Sequence, residues 1–178
     1  MKVLVISDIH GSSYYANKIK EIVSKENPDK IILLGDLYYH GPRNDLTQEY
    51  APMEVAEVLN RLKEKLLVVK GNCDAEVDEM ISDFKFEEYL LLDINGKKIY
   101  FNHGHKYNIE NIPYEDFEIL IYGHIHQGFI QEKEGYLFAN PGSISLPKCG
   151  TEHSYLILEE DKLILKNVEG TVLQEYNI

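Results

Sequence analysis

The sequence predicts an α/β fold in which two stacked mixed β-sheets carry helices on the outside. Three observations predict it. Residues 3–69 alternate between buried-strand and amphipathic-helix patterns, the signature of parallel strands joined by helical crossovers. Residues 89–167 read mainly as short strands separated by turn residues. No apolar run exceeds four residues, so the strands are short and no segment spans a membrane as a helix.

Taken in order, Val3–Ile6 is a β-branched apolar run and reads as the first strand. Ser12 or Ser13 caps a helix whose Tyr15, Ile19, Ile22 and Val23 recur at helical spacing before Pro28. Ile31–Leu34 is the second strand, and a loop with Gly41-Pro42 follows it. Pro52 suits a helix start, and Val55, Val58, Leu59 and Leu62 form one helical face. Leu66–Val69 is the third strand. Tyr89–Ile94 and Lys98–Phe101 flank Asn95-Gly96, a dipeptide suited to a primed hairpin turn. Further strands are expected at Ile119–Tyr122, Phe129–Glu132, Tyr136–Ala139, Ser154–Leu158 and Leu163–Asn167. With 178 residues and no linker or repeat, 1–178 reads as a single domain. It is too short for an ordinary α/β barrel of about 250 residues.

Charge narrows the partners. Thirty acidic residues against 18 basic ones give −12, which repels long nucleic acids and anionic membrane surfaces. Cys73 and Cys149, with an N-terminus that reaches Asp8 after one short run, read as reduced thiols of a cytoplasmic protein. No Walker A, G-x-G-x-x-G or G-x-S-x-G pattern occurs, and the closed Cys-rich zinc pattern is absent.

The chemistry gathers at strand ends. Asp8, Asp36, Asn72, His103 and His124 each stand one to three positions beyond an apolar run, and His10 and His126 extend the set. In open α/β sheets the ligand crevice lies outside the carboxyl ends of the strands. A lone Asp after a strand is ordinarily a turn or cap residue; seven such residues in one chain call for a shared site. In Asp8-x-His10 and His124-x-His126 the intervening residue can point away while both flanking side chains face that site. Imidazoles mixed with carboxylates and one amide suit Mn, Fe, Zn, Co or Ni.

Asp8-x-His10-Gly11, Gly35-Asp36 with Gly41, Gly71-Asn72-x-Asp74, Asn102-His103-Gly104-His105 and Gly123-His124-x-His126 resemble, in order and spacing, the five blocks of the calcineurin-like metallophosphoesterases. His40-Gly41-Pro42-Arg43-Asn44, Gly71-Asn72-Cys73-Asp74 and Asn140-Pro141-Gly142-Ser143 look like its small bacterial phosphodiesterase branch. The resemblance implies a four-layer αββα sandwich with a dinuclear centre. One metal would take Asp8, His10 and His126, the other Asn72, His103 and His124, with Asp36 bridging. Asp36, Asn72 and His10 would carry catalysis. Manganese is the first expectation for the two divalent ions, with Fe, Ni, Co or Zn as alternatives. Two divalent ions, Asp8, Asp36 and a bridging hydroxide leave a local charge of about +1, enough to attract a phosphate ester to an acidic protein. In-line attack by that hydroxide would then cleave a P–O bond.

Cys73 departs from many monoester-cleaving relatives, which carry a His there. A thiol brings no positive charge and is a weak donor. A diester has less charge to neutralise than a monoester, so small phosphodiesters are the expected substrates. A phosphomonoesterase or nucleotide pyrophosphohydrolase is the alternative. A scaffold like the retromer subunit of similar fold, with its degraded metal site, is disfavoured because all seven ligands are present. His40, Arg43, Cys73 and His105 are the candidates for substrate contact, and Asp74 would orient a neighbour or cap a helix. Self-association into a homo-oligomer is a further expectation.

Overall fold

The computed structural model describes residues 1–178. Its elements are β1 (Lys2–Ile6), α1 (Ser13–Glu26), β2 (Lys30–Leu33), α2 (Pro52–Asn60), β3 (Leu66–Val69), β4 (Phe86–Glu87), β5 (Leu90–Ile94) and β6 (Lys97–Asn102). After them come β7 (Ile119–Tyr122), β8 (Gly128–Lys133), β9 (Tyr136–Pro141), β10 (Ser154–Glu159), β11 (Lys162–Asn167) and β12 (Val172–Asn177). They form a seven-stranded sheet ordered β12-β11-β10-β1-β2-β3-β4 and a five-stranded sheet ordered β5-β6-β7-β9-β8. Pairing is parallel from β1 to β4 and from β6 through β7 to β9, and antiparallel elsewhere, so both sheets are mixed.

Strand β1 shows why its sequence is a continuous apolar run. Val3 and Val5 join Ile32, Val69, Phe101 and Ile121 in the core between the sheets, whereas Leu4 and Ile6 join the layer beneath α1 and α2. A strand covered on both faces has no position for a polar side chain. Helix α1 starts where Ser12 Oγ accepts from the Tyr15 amide at 3.3 Å. It ends at Asn27, whose φ of 46° turns the chain before Pro28. Pro52 opens α2, and Asn95-Gly96, with φ of 53° and 82°, makes the hairpin turn.

The two stacked mixed sheets match the expected fold class, with one difference in the outer layers. Both helices lie on the seven-stranded sheet. The outer face of the other sheet, with Tyr100, Leu120, Tyr122 and Phe138, is covered by the connection between β6 and β7 through Ile109, Ile112 and Phe117. That connection satisfies its backbone locally instead of forming a helix. Asn108 Nδ2 donates to the Gly104 carbonyl, the Asn108 side chain accepts from the Glu110 amide, and Asn111 Nδ2 donates to the Lys106 carbonyl. Strands β4 and β12 were not foreseen either: β4 has two residues, and β12 is an exposed edge without a buried face.

Candidate metal centre

The carboxyl ends of β1, β2, β3, β6 and β7 deliver their polar residues to one place. Asp8, His10, Asp36, His103 and His126 are all buried there, with Asn72 and His124 at the rim. The predicted alternation holds: Ile9 is buried in the helix-side core while Asp8 and His10 face the cluster.

Two groups of ligand atoms form around one carboxylate. In the first, Asp8 Oδ1 lies 3.5 Å from His10 Nε2 and 3.2 Å from His126 Nε2, and the two imidazole nitrogens are 3.2 Å apart. In the second, His103 Nε2 lies 3.0 Å from Asn72 Oδ1, 3.3 Å from His124 Nδ1 and 3.4 Å from Asp36 Oδ2. Asp36 Oδ2 also faces the first group, 3.7 Å from His10 Nε2.

Hydrogen bonds behind the cluster aim these atoms. His10, His103 and His126 each turn Nδ1 to a backbone carbonyl, of Tyr39, Leu34 and Leu146, at 2.6–2.8 Å. A carbonyl only accepts, so each Nδ1 carries a proton and Nε2 is the nitrogen left to face a cation. Asp8 Oδ2 accepts from Ser7 Oγ at 2.6 Å and from the His124 amide at 3.0 Å. Its Oδ1 is buried without a hydrogen-bond partner. Asp36 Oδ1 accepts from the Cys73 amide at 2.8 Å, leaving Oδ2 free toward both groups. A buried carboxylate oxygen without a donor, ringed by imidazole lone pairs, fits a divalent cation and little else.

Carboxylates and imidazoles are electrostatically matched. Burial opposes charge on His103, yet Asp36 and Asp8 raise it to about 9. Burial likewise opposes ionisation of Asp8 and Asp36, yet the surrounding imidazoles hold Asp8 well below its ordinary range and Asp36 below it. His124 and His105 are lowered by burial and then by charge on His103. Metal ligands must be deprotonated, so a bound cation would take the place of the imidazole protons in these pairings.

Asp74 is neither a ligand nor a helix cap. Its Oδ2 accepts from the Asp36 and Gly71 amides and its Oδ1 from the Leu37 amide, all at 2.8 Å. It thereby orients the loops after β2 and β3. Burial, and then Asp36, push it up to about 6 despite these donors. Ser143 and Ser145 both donate to the Asp8 carbonyl, at 2.7 and 2.9 Å, and Asn140 Nδ2 donates to that of Gly123 at 2.8 Å. The block containing Asn140 and Ser143 therefore holds the loops after β1 and β7.

The cluster opens into a cavity of about 130 Å³. Arg43 and Cys73, two of the candidates for substrate contact, line it, and the Cys73 thiol is pushed up to about 12 by burial and then by Asp36. His40 does not line it. Its Nδ1 lies 3.1 Å from the Asn44 carbonyl, and its ring packs edge-on against Tyr50, bracing the loop that carries Arg43. His105 faces a neighbouring cavity instead. Lys148, which no sequence motif singles out, also lines the mouth, its amide bonded to the His126 carbonyl at 2.9 Å. As a lone Lys in a turn-rich loop it carried one signal, a cation in an acidic chain.

A family model described as the calcineurin-like phosphoesterase superfamily domain matches residues 1–163. The chain is similar to phosphodiesterase YfcE of Escherichia coli, 38% identical over 167 residues that cover 92% of this chain and 90% of that protein. It is 32% identical to the probable metallophosphoesterase YsnB of Bacillus subtilis over 89% of this chain and 83% of that one. The solved structure of the Escherichia coli phosphoesterase superposes with a TM-score of 0.96 at 34% identity, covering 100% of both chains. Vps29 of Cryptosporidium parvum shares the fold, with a TM-score of 0.66 at 22% identity over 99% of this chain and 98% of that one.

Proposed function

Because the chain belongs to the calcineurin-like phosphoesterase superfamily, we propose that it hydrolyses small phosphodiesters at the cluster around Asp36, using two divalent ions, with manganese first among the candidates. One observation carries the reading: a single carboxylate oxygen of Asp36 faces two ligand groups, Asp8, His10 and His126 on one side and Asn72, His103 and His124 on the other. Divalent ions held there would supply Lewis acidity, readying water for attack on phosphorus and neutralising the phosphoryl oxygens.

The chain's own groups do the rest. Arg43 and Lys148 bring the mouth two positive charges, which draw a phosphate ester past the acidic surface and orient it. Asp36, Asn72 and His10 hold the reacting centre, and Asp74 keeps Asp36 in place from behind. Cys73 stands beside the phosphate as a neutral thiol. It neither adds a positive charge nor donates a proton readily to a leaving alkoxide, which favours the singly charged diester over the monoester.

A paired assay tests this. The protein is stripped with chelator and restored with Mn²⁺, and hydrolysis of bis-p-nitrophenyl phosphate is compared with that of p-nitrophenyl phosphate. The expected result is metal-dependent diester cleavage that exceeds monoester cleavage. Faster monoester cleavage would favour the phosphomonoesterase reading. Absence of both activity and bound metal would favour a scaffold of this fold.

A further inference from the structure

A second cavity, of about 380 Å³, opens on the outer side of the five-stranded sheet, within the size range of small-molecule sites. It shares a wall with the cluster. His103 lines it, and the His105 ring beside it lies 5.5 Å from the His103 ring and 6.2 Å from that of His124. A phosphodiester has two ester arms, so with its phosphorus at the cluster one arm can pass His105 into this space.

Four tyrosines, Tyr89, Tyr100, Tyr107 and Tyr114, also line the cavity. Tyr89 stacks on Tyr100 with ring centres 4.9 Å apart and planes 12° from parallel, and Tyr107 meets Tyr100 edge-on at 6.4 Å. Core packing explains Tyr100, which is 2% exposed. It does not explain Tyr89, Tyr107 and Tyr114, which all face solvent around one opening, Tyr114 completely. Exposed aromatic faces beside a site for phosphate offer planar rings a place to stack.

Two polar features narrow the occupant. Asn102, 4% exposed on the same wall, accepts from the Gly104 amide through Oδ1 at 2.7 Å, which fixes its amide orientation. Its Nδ2 is buried without a partner just behind this wall, an unspent donor that a ring with an acceptor on its edge would satisfy by a small side-chain adjustment. At the rim stand Glu88 and Glu115, and the one nearby cation, Lys106, pairs with Glu88 at 3.1 Å. That balance rejects an arm carrying a second phosphate and accepts an uncharged one.

We propose that this cavity seats the nucleobase of a nucleoside-bearing phosphodiester, stacked among Tyr89, Tyr107 and Tyr114, while its phosphate lies at the Asp36 cluster. As a substrate class this rests on the phosphodiesterase reading, so the test separates the two. Equilibrium dialysis of the Mn²⁺-loaded protein with adenosine alone tests the cavity. Binding in the sub-millimolar range is expected, weakened about tenfold in Tyr107→Ala/Tyr114→Ala. Both positions are exposed, and an unchanged thermal transition would show that the variant is folded. No binding at millimolar adenosine, or equal binding by the folded variant, would overturn the proposal.

Kinetics tests the link to the reaction. Adenosine 5′-(p-nitrophenyl phosphate) is compared with methyl p-nitrophenyl phosphate. The ratio of their kcat/KM values is expected to exceed about ten and to fall at least about fivefold in the double variant. A ratio near one, or one unchanged by the substitutions, would overturn the assignment. Cleavage of neither ester would sink the phosphodiesterase reading while the dialysis still judges the cavity.

Discussion

Asp8, His10, Asp36, His124 and His126 all hold left-handed backbone, with φ between 49° and 68°. Asp and His tolerate this region better than most residues, at a cost of about 1–3 kcal/mol each. The strain turns each side chain toward the cluster at a strand end, which is where a site needs it. On the proposed phosphodiesterase reading, single side chains around these groups would set the substrate. Cys73→His places an imidazole where a neutral thiol now stands. Monoesterase activity should rise relative to diesterase activity by about tenfold, the order expected of one added proton donor, as read from kcat/KM on the two nitrophenyl esters. An unchanged ratio would show that Cys73 does not set the preference. Lys148→Ala removes one of two cations from the mouth. KM for the diester should rise about tenfold with metal content unchanged, and a KM that stays level would remove Lys148 from the substrate path.

Whole elements depend on close approach and on one buried charge. The loops after β2 and β3 touch at Gly35 and Gly71, where a Cβ on Gly71 would overlap Asp36 Oδ1 and the Asp36 amide. Gly71→Ala should therefore displace Asp36 and lower Mn²⁺ affinity at least about tenfold, the usual penalty for disturbing a ligand's support. Full metal content in the folded variant would contradict that. At the end of α1, Glu26 ties the helix to the sheet. It pairs with Lys2 Nζ at 2.9 Å and accepts from Lys166 Nζ at 2.9 Å and Tyr155 Oη at 3.0 Å. Burial opposes its ionisation, but these partners bring it down to about 2. Its folded pKa lies below the ordinary carboxylate value, so its contribution is full above about pH 4.5 and is lost as pH falls toward 2. Glu26→Gln should cost about 3 kcal/mol at pH 7, and the gap from the parent should close across that window in urea unfolding. A gap independent of pH would mean that packing, not charge, holds the junction.

At the scale of the whole molecule, two sheets with parallel strand ends in common make the site. That much was legible because parallel strands buried on both faces write continuous apolar runs, and each run is followed within three positions by a candidate ligand: Ile6 by Asp8, Val69 by Asn72, Tyr122 by His124. The backbone turn at Asn95-Gly96 was legible from its local dipeptide. Features built by contacts distant in sequence were not. Lys148 reaches the mouth on a loop that bonds to the His126 carbonyl. The loop over the second sheet replaces a helix through asparagine side chains that composition alone does not interpret. Edge strand β12 has no apolar face to announce it.

The central claim is that Asp36 joins two metal positions. Metal content of protein reconstituted with Mn²⁺, measured by plasma mass spectrometry for the parent and for Asp36→Asn, tests it most directly. Two ions per chain are expected in the parent, and in Asp36→Asn at most one, with diester turnover lost. One ion per chain in the parent, or two ions and full turnover in Asp36→Asn, would contradict it.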